Sequence, residues 1–351
     1  MSALSVEGLT VVVGRGRRSF RAVDEVTLSV PPGEVVGLVG ESGSGKSTLA
    51  RAVVGLHPIQ GGRLIINGED VTRLRGANRA NRLRDVQMIF QDTYGSLNPR
   101  MTIAQIVSEG IRRSESVRRA DMRAELIRLL GLVSLDERYL DRYPRELSGG
   151  QRQRIAIARV LATGARVIIA DEITSALDVS VQAQVLNLLR EIAHNNDLSM
   201  LFISHNLAVV NFICDSVAVM HSGRIVETAP TPQLFGDPRH PYTRALLAAV
   251  PSLRVRAGDR AEWISIGEPI DPHHPPTGCR FHPQCPIGPL FFPERVECTT
   301  VDPRIGAADR PHGSACHFAA EIDQPIREDV DETRVHVESE RPAPLPRGRH
   351  G

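Results

Sequence analysis

The stretch that most constrains this chain is Gly40–Thr48, which reads GESGSGKST. It matches the phosphate-binding loop pattern G-x-x-x-x-G-K-[ST] at each fixed position: Gly40, Gly45, Lys46 and Ser47. Glycines let the backbone curl so that several N–H groups point at one phosphate. The lysine can reach the β- and γ-phosphates, and the serine hydroxyl can ligate Mg²⁺. The stretch therefore predicts a nucleotide phosphate site.

The residues on either side of this loop have the pattern that the motif requires. Glu34–Val39 is a short apolar run, as expected of a buried parallel strand, and Ser47–Leu56 has helical spacing that Gly55 can close. A chance glycine-rich turn would not need this strand, loop and helix order. The predicted ATP contacts in the loop are Gly40, Glu41, Ser42, Gly43, Ser44, Gly45, Lys46, Ser47 and Thr48.

Composition excludes several classes of protein. The 351 residues suffice for a large core and two domains, and 41% are apolar and 24% charged, as in an ordinary globular protein. A net charge of +1 gives no field that favours nucleic acid. The sequence has no apolar run long enough to span a bilayer, and its beginning lacks the pattern of a secretory signal. We therefore expect a cytoplasmic location.

Hydrophobic periodicity predicts an α/β fold with a helical insertion that begins at residue 93. Helical segments are predicted at Ile103–Arg112, Arg118–Leu130 and Val179–His194, with a short helix at Pro241–Val250. We expect a first domain at 1–250, a small cysteine-containing region at 251–320 and a disordered tail at 321–351. Strands or hairpins are predicted at 4–13, 22–30, 63–71, 86–90, 167–170, 199–203 and 216–228.

Polar side chains follow three of the predicted buried strands: Gln91, Asp171, Glu172 and His205. In a parallel α/β sheet, ligands bind at the carboxyl ends of the strands. Asp171 follows an apolar strand, as does the carboxylate that holds Mg²⁺ in phosphate-loop enzymes, and Glu172 can polarise an attacking water. A lone residue of these types is more often a solvated loop residue, but the set with the phosphate loop predicts an active site.

A second anion site is predicted at Leu147–Gln151, which reads LSGGQ. Ser148 is a good N-cap for the following helix, whose first N–H groups and dipole attract an anion. Phe20 is the only aromatic residue before Phe90, so it is the one candidate there for stacking on adenine. A structural role as a core or edge phenylalanine stays open for Phe20.

These motifs, together with the SALD sequence at Ser175–Asp178, resemble the ATPases of the ATP-binding-cassette (ABC) family. The resemblance implies a phosphate-loop cassette at 1–250 with an antiparallel β subdomain and a helical subdomain at about 93–165. It also implies a head-to-tail dimer that holds ATP and Mg²⁺ between the phosphate loop of one subunit and the LSGGQ sequence of the other. It implies that Gln91 contacts Mg²⁺ or water and faces the membrane partner, that Glu172 is the general base and that His205 contacts the γ-phosphate. The implied Mg²⁺ ligands are Ser47, Gln91 and Asp171, and the implied contacts from the motifs after the phosphate loop are Ser148, Gly149, Gly150, Gln151 and Asp178.

A narrower resemblance is to the oligopeptide/dipeptide importer subfamily. It rests on Phe90–Thr102, on the sequence DEITSALDVSVQAQVLNLL, on His240–Pro251 and on Gly278–Pro286. The first two segments are more similar to the second of the subfamily's two ATPase subunits than to the first. The chain departs from the subfamily at Thr93, where proline is usual, at Ile173, where proline is usual, and at Asn206, where aspartate is usual.

The resemblance implies an ATP-hydrolysing subunit on the cytoplasmic side of a membrane, with two permease subunits, a second ATPase subunit in a homo- or heterodimer, and an external solute-binding protein. Peptide is the solute that the subfamily implies, while nickel, glutathione or an oligosaccharide stay open. A soluble ABC ATPase acting on nucleic acid or ribosomes is disfavoured, because the chain has one cassette, no heptad run and no basic surplus. A metal-sensing module is a third alternative.

Four of the five cysteines lie close together in the C-terminal part of the chain. Cys279, Cys285, Cys298 and Cys316 have five, twelve and seventeen residues between them, so the tight C-x₂-C of many zinc sites is absent. The resembled subfamily can bind a [4Fe–4S] cluster through four cysteines here, although the middle spacing is longer than usual. Zinc, with His282, His312 and His317 as alternative ligands, or free thiols are the other interpretations. Cys214 lies in an apolar run and is predicted to be a core thiol.

Overall fold

The computed structural model describes residues 2–114, 121–175, 177–250, 270–304 and 312–322. Its largest element is a seven-stranded sheet with the strand order β11-β10-β9-β3-β8-β7-β6. Five of these strands are parallel, and β10 and β11 continue the sheet in antiparallel pairing. The strands are β3 (Val35–Val39), β6 (Val86–Ile89), β7 (Val167–Asp171), β8 (Ser199–Ile203), β9 (Ser216–His221), β10 (Arg224–Pro230) and β11 (Gly313–Ser314).

The strands in the middle of this sheet are the short apolar runs of the sequence. All residues of β3, β7 and β8 are buried, because helices or the second sheet cover both faces. The pairing is in parallel register, with Asp171 opposite Ile203 at the carboxyl ends of β7 and β8. The residues that follow these two strands are therefore neighbours at one edge of the sheet.

A second sheet has four antiparallel strands in the order β2-β1-β4-β5, which are β1 (Leu4–Val13), β2 (Phe20–Val30), β4 (Gly61–Ile66) and β5 (Glu69–Asp70). The predicted hairpin turn at Asn67 and Gly68 is confirmed, and both residues have positive φ, 49° and 81°. Two positive φ values match the twist of a tight hairpin, which explains the Asn-Gly sequence. This sheet packs on α1 (Lys46–Val53) in a core that includes Leu49 and Leu64.

Helices cover the rest of the parallel sheet. Between β6 and β7 the described part of the chain forms four α-helices that pack on one another, and the last of them begins at the LSGGQ sequence. Among the described residues, no helix has the length and apolar content needed to cross a bilayer. Besides α1, the helices are α2 (Gly76–Leu83), α3 (Thr93–Ser96), α4 (Ile103–Ser114), α5 (Met122–Leu132), α6 (Gly149–Leu161), α7 (Val179–Asn195), α8 (Leu207–Ile213), α9 (Thr231–Gly236), α10 (Pro241–Ala248) and α11 (Glu297–Thr300).

Some helices begin or end at residues other than those predicted, and some were not predicted. The helix after the phosphate loop ends at Val53 rather than at Leu56, and five of the helices, α2, α3, α8, α9 and α11, were not predicted. The predicted second helix of the helical segment begins at Met122 in the structure, while residues 115–120 lie outside the described part. The predicted boundary between residues 250 and 251 and nearly all of the predicted disordered tail also lie outside it.

The C-terminal region is attached to both sheets. Strand β11 pairs with β10, and Arg280 donates hydrogen bonds to the Ser222 carbonyl and to Asp24 of β2. The Asp24 carboxylate is 2% exposed and also accepts from Arg224 at 2.7 Å and from Arg21 at 3.1 Å. Burial alone would raise the pKa of Asp24, but the hydrogen bonds and charges of these arginines hold it below its usual value. The described C-terminal segments are thus fixed to the strands that flank the phosphate loop.

Candidate nucleotide-binding site

The phosphate loop lies between the end of β3 and the beginning of α1. Gly40 and Gly45 have φ values of 153° and 108°, which side-chain-bearing residues rarely adopt. A Cβ on Gly40 would lie 2.1 Å from the Met220 carbonyl oxygen, and one on Gly45 would lie 2.2 Å from that of Ala22. Both glycines are therefore required by the close approach of β9 and β2 as well as by the curl of the loop.

Lys46 is folded into the loop. Its side-chain nitrogen donates to the carbonyl oxygens of Gly40 and Glu41, each at 2.7 Å, and the residue is 4% exposed. Burial lowers the pKa of Lys46, and the negative charges of Glu172, Asp171 and Glu41 oppose this shift. The ammonium group is therefore held at the mouth of the loop, where a phosphate group would offer it a stronger partner.

The structure brings together two of the three predicted Mg²⁺ ligands. The Ser47 hydroxyl donates to Oδ1 of Asp171 at 3.0 Å, although the two residues are 124 positions apart in the chain. Asp171 is 3% exposed, and burial raises its pKa while the hydrogen bond from Ser47 opposes the shift. Hydroxyl and carboxylate oxygens are the hard donors that Mg²⁺ prefers, so these two residues could hold the ion beside the phosphate loop.

Glu172 connects the remaining predicted catalytic residues. Its Oε2 accepts from Gln91 Nε2 at 3.0 Å, and its Oε1 lies 3.2 Å from Nδ1 of His205. Both carboxylate oxygens therefore point at side chains that follow neighbouring strands. Glu172 has a φ of 47°, an uncommon conformation for a residue other than glycine, and its N–H donates to the Ile203 carbonyl at 3.0 Å. This backbone geometry turns the carboxylate toward Gln91 and His205.

The predicted second anion site lies at the beginning of α6. The Ser148 hydroxyl accepts from the Gln151 N–H at 3.3 Å, and Gln151 Oε1 accepts from the Ser148 N–H at 2.9 Å, which completes a capping box. A Cβ on Gly150 would lie 2.4 Å from Val181 of α7, so glycine allows this close helix contact. Ser148 is exposed, which leaves the beginning of α6 open to a ligand or a second subunit. Asp178 is the N-cap residue of α7 and is also exposed.

Sequence reasoning missed a contact from the C-terminal part of the chain to the phosphate loop. The Tyr242 hydroxyl accepts the Glu41 N–H at 2.9 Å. Tyr242 is 1% exposed, and its ring lies 4.3 Å from that of His221 and 5.5 Å from that of Phe281. The HPYT sequence that begins at His240 was the available indication of this contact, but the sequence analysis used it only as evidence for the subfamily resemblance.

Phe20 lies at the beginning of β2, at one end of a cleft of about 240 Å³. The cleft extends to the phosphate-loop residues 41–44, so the predicted stacking residue and the predicted phosphate contacts share one space. A larger cleft of about 580 Å³ lies beside β2 and β10 and contains none of the predicted nucleotide contacts. The smaller cleft is therefore the one that fits a nucleotide whose phosphates lie in the loop.

The four C-terminal cysteines line one small cavity of about 10 Å³, together with His282 and His317. Burial is the main cause that raises the pKa of Cys279 to about 11 and that of Cys316 to about 12, and it also raises the pKa of Cys285 and of Cys298. Four thiols suit a soft metal, but a cavity of this size has room for about one water molecule.

Among the described residues, no group of three or more Cys, His, Asp or Glu side chains is arranged so that it could hold a metal ion. The cavity as it stands does not support the [4Fe–4S] prediction. Of the three histidines named as alternative ligands, His312 has its Nε2 2.8 Å from a carboxylate oxygen of the buried Glu227, so this nitrogen already has a hydrogen-bond partner. Cys214 is buried, as predicted for a core thiol, and its sulfur packs against Gly37 of β3.

The structure accounts for one of the three departures from the subfamily. Asn206 is the N-cap of α8, where its side-chain oxygen accepts from the N–H groups of Ala208 and Val209 at 3.1 and 3.4 Å. Asparagine and aspartate serve equally well in this role. Ile173 is 2% exposed and packs in the main core. The side chain of Thr93 lies outside the described part of the chain.

Comparison with known proteins agrees with this site. The ABC transporter family matches residues 23–175, and the C-terminal region of oligopeptide/dipeptide transporters matches residues 226–288. A probable peptide ABC transporter ATP-binding protein, y4tS of Sinorhizobium fredii, is 48% identical over 86% of this chain and 83% of its own length. The oligopeptide transport ATP-binding protein AppF of Bacillus subtilis is 42% identical over 85% of this chain and 89% of its own length.

Among solved structures, a similar one is the dimeric post-hydrolysis state of the ATP-binding cassette MJ0796 bound to ADP and Pi. Its TM-score with this chain is 0.59 and the sequence identity is 26%, and the match covers 65% of this chain and 98% of that chain. The fold class predicted from the sequence is thus confirmed. These likenesses agree with the phosphate loop, the buried Asp171 and the neighbouring Glu172. The chain belongs to the ATPases of the ABC transporter family, in the branch that carries the oligopeptide/dipeptide transporter C-terminal region.

Proposed function

We propose that this protein is the ATP-hydrolysing subunit that powers import of peptides through a membrane ABC transporter. The observation that carries the proposal is the arrangement around the phosphate loop, where Ser47 meets Asp171 and Glu172 meets both Gln91 and His205. Peptide as the solute rests on relatives of 42–48% identity whose names state peptide or oligopeptide transport.

The site residues suggest an in-line attack of water on the γ-phosphate. Loop N–H groups and Lys46 would hold the phosphates, and Ser47, Asp171 and Gln91 would serve the Mg²⁺ ion. Glu172 would accept the proton of the attacking water, because its carboxylate lies between Gln91 and His205 at the end of the parallel sheet. His205, on the other side of Glu172, would contact the γ-phosphate. Catalysis of this kind depends on positioning and on charge stabilisation.

A second ATPase subunit would complete the site. In one chain the exposed N-terminus of α6, at Ser148–Gly150, offers N–H groups and a positive helix end. Head-to-tail pairing would bring this end, with Gln151 and Asp178 nearby, over the ATP held by the partner's phosphate loop. The partner can be an identical chain or a related one, and the dimeric state named for the MJ0796 cassette supports the pairing.

A groove between β6 and the helices is the proposed contact with the permeases. Its volume is about 520 Å³, and apolar residues such as Leu56, Leu83 and Phe90 line it together with Glu109. Leu56 is 58% exposed, and Phe90 directly precedes Gln91, which contacts Glu172. A short amphipathic helix from the cytoplasmic face of a permease fits this groove, since its apolar side would cover Leu56 and its position would affect Gln91.

The proposal also includes the domain organisation of the chain and its location in the cell. A cassette at 1–250 with a helical subdomain at about 93–165 would be followed by the cysteine-containing region at 251–320. The protein would lie on the cytoplasmic side of the membrane through the permeases, which receive peptide from an external binding protein. Cys279, Cys285, Cys298 and Cys316 share one cavity, but their described arrangement holds no metal-binding set, so an iron–sulfur cluster or zinc would require the cavity to widen and the side chains to rearrange.

Transport in a reconstituted system tests the proposal. The chain is co-expressed with the permeases, second ATPase and binding protein encoded beside it, and uptake of a labelled peptide into proteoliposomes is measured. We expect ATP-dependent uptake that a Lys46→Ala variant abolishes. Uptake of nickel, glutathione or an oligosaccharide instead of peptide would correct the solute. Failure of the chain to remain with the permeases in the membrane fraction would overturn the transport function.

A further inference from the structure

The base end of the nucleotide cleft has a wall that comes from the C-terminal region. The cleft is lined by Phe20 and by the phosphate loop from Glu41 to Ser44, and also by Ile270, Pro272 and Pro275. These last three residues lie 250 to 255 positions after Phe20 in the chain. A nucleotide that extends from the phosphate loop toward Phe20 therefore runs along the segment from Ile270 to Pro275, here called the 270–275 segment.

An aromatic ring of this segment meets the predicted stacking residue. The ring of His273 lies 4.9 Å from the ring of Phe20, with 64° between the two planes. Edge-to-face rings at this distance attract each other, and each keeps part of its surface for a third ring. A base that stacks on Phe20 would lie against the imidazole of His273, and this imidazole can also exchange a hydrogen bond with a ring nitrogen or an amino group.

Local hydrogen bonds fix the 270–275 segment. The Asp271 carboxylate accepts the His273 N–H at 2.9 Å and lies 2.8 Å from Nδ1 of His274. His273 and His274 are both exposed, and it is the ring of His273 that contacts Phe20. Because Pro272 and Pro275 restrict the backbone further, His273 is held near Phe20 before a ligand arrives, which reduces the entropy lost on binding.

The wall is also joined to the rest of the cleft within the same chain. Arg280, which lines the cleft, donates to the Ser222 carbonyl and to Asp24, and these residues lie on the β9–β10 turn and on β2. Since Phe20 is the first residue of β2, the hydrogen bonds of Arg280 connect the strand of the predicted stacking residue to the C-terminal region. The base pocket is therefore built in cis by the cassette and the C-terminal region together.

We propose that His273 is a base-contacting residue and that the 270–275 segment closes the base end of the nucleotide cleft. This inference rests on the proposed nucleotide site and adds a determinant of base affinity and base choice outside the cassette motifs. It predicts that the C-terminal region takes part in nucleotide binding through direct contact, so that a change in this segment alters the affinity for adenine nucleotides without altering phosphate binding.

The test measures binding of ADP, GDP and inorganic tripolyphosphate to full-length protein by calorimetry. His273→Ala should weaken ADP binding about three- to tenfold, as expected for loss of one ring contact, and should leave tripolyphosphate binding unchanged. The ratio of ADP to GDP affinity should also shift. His194→Ala is the control, because it removes an exposed imidazole from α7, which contributes no residue to the lining of the cleft, and it should bind all three ligands like the wild type.

Two further variants keep the outcome decisive. His273→Phe retains a ring and should recover most of the ADP affinity, and the losses in Phe20→Ala and His273→Ala should be non-additive in the double variant. Wild-type ADP affinity in His273→Ala, or equal loss of ADP and tripolyphosphate, would overturn the inference. Lys46→Ala tests the nucleotide site separately from the role of His273. If Lys46→Ala keeps the ADP affinity of the wild type, the proposed nucleotide site is wrong. If Lys46→Ala loses ADP affinity while His273→Ala keeps it, only the role of His273 is rejected.

Discussion

The hydroxyl oxygen of Tyr242 lies 2.9 Å from the backbone nitrogen of Glu41 and accepts its hydrogen bond across 201 residues of sequence. On the other side of the same loop, Lys46 donates to the carbonyl oxygens of Gly40 and Glu41. The beginning of the phosphate loop is thus held by a residue of its own motif and by one from the HPYT sequence. Tyr242 in turn packs on Phe281, which shares the cavity of the four cysteines. The C-terminal region therefore supports the loop that is predicted to bind phosphate.

Removing the hydroxyl of Tyr242 should weaken ATP binding more than catalysis. In Tyr242→Phe the N–H of Glu41 loses its partner, while the ring contacts with His221 and Phe281 remain. Loss of such a hydrogen bond typically costs about 1 kcal/mol, so we expect the KM for ATP to rise about three- to tenfold with kcat within about twofold. Steady-state phosphate release measures both constants. A fall in kcat at unchanged KM would contradict a role in positioning the loop.

Replacing Glu172 by glutamine should stop hydrolysis but not ATP binding. The amide keeps the shape of the side chain but cannot accept a proton, and loss of a general base typically costs about 10²–10⁴-fold in rate. ATP-dependent dimers should then accumulate, since closure persists without hydrolysis, and gel filtration with ATP would show them. Glu191→Gln, an exposed acid on α7, is the control. Turnover near that of the wild type in Glu172→Gln would assign the base to another residue.

The two sides of the nucleotide site should fail in different ways. Lys46→Ala should lose most nucleotide binding, because backbone dipoles alone would then meet the β/γ-phosphate charge. Ser148→Arg should bind ATP yet fail to dimerise, since bulk and positive charge would fill the exposed N-terminus of α6. Calorimetry for ATP and light scattering for the dimer distinguish these effects. Equal ATP affinity in both variants would contradict a site shared between two subunits.

Much of the sheet could be predicted because its strands are local sequence patterns. Val35–Val39, Val167–Asp171 and Ser199–Ile203 are apolar runs that end in polar residues, so the sheet edge with Asp171 and Glu172 followed from the sequence. Helix α2 was missed because none of its residues is fully buried and Leu83 is the only large apolar side chain in its sequence GANRANRL. Helix α8 was missed because Leu207–Ile213 is mostly apolar, which leaves no helical period to detect.

The contacts from the C-terminal region could not be predicted in the same way. Tyr242 contacts Glu41 and His273 contacts Phe20 through tertiary packing, and no local pattern of the sequence relates these residues to each other. All four cysteines of the metal-site prediction line one cavity, but sequence spacing contains no information on the volume of that cavity. The burial of Asp171 and the positive φ of Glu172 likewise could not be predicted, because both depend on contacts with neighbouring strands that are distant in the sequence.

Stability should fall in mild acid because two histidines are buried in neutral form. Burial lowers the pKa of His221 to about 4 and that of His240 to about 3. Below about pH 6.5 the unfolded chain takes up protons that the folded chain cannot, so the stabilisation is complete above pH 6.5 and decreases as the pH falls toward 4. Between pH 6.5 and 5 each histidine would cost about 2 kcal/mol of unfolding free energy. Urea unfolding at a series of pH values measures this loss.

His240→Asn isolates one of these two histidines. Nδ1 of His240 caps α10 by accepting the Tyr242 N–H at 3.1 Å, and asparagine can make the same hydrogen bond without titrating. The variant should be less stable at pH 7, since it loses the packing on Phe281, but its stability should fall less steeply below pH 6.5. A pH dependence equal to that of the wild type would show that His240 is not the titrating group.

Metal content should decide the role of the four cysteines. If they form an iron–sulfur site, anaerobically purified protein will be brown and contain iron and sulfide, and serine at Cys279 or Cys316 will remove both. Their raised pKa values mean that metal binding must displace protons from the thiols, so affinity for either metal should increase with pH. Stoichiometric zinc without iron would identify a zinc site, and absence of both metals would leave a cavity of free thiols.

Cys214→Ser is the control for the cysteine variants, because Cys214 is buried beside β3 and does not line the cavity. Its metal content should equal that of the wild type. ATP hydrolysis should survive in part in Cys279→Ser, since the predicted catalytic residues all precede position 206. The KM for ATP should nevertheless rise, because Phe281 connects the cavity to Tyr242 and hence to the phosphate loop. An unchanged KM in a variant that has lost its metal would show that the cavity and the nucleotide site act independently.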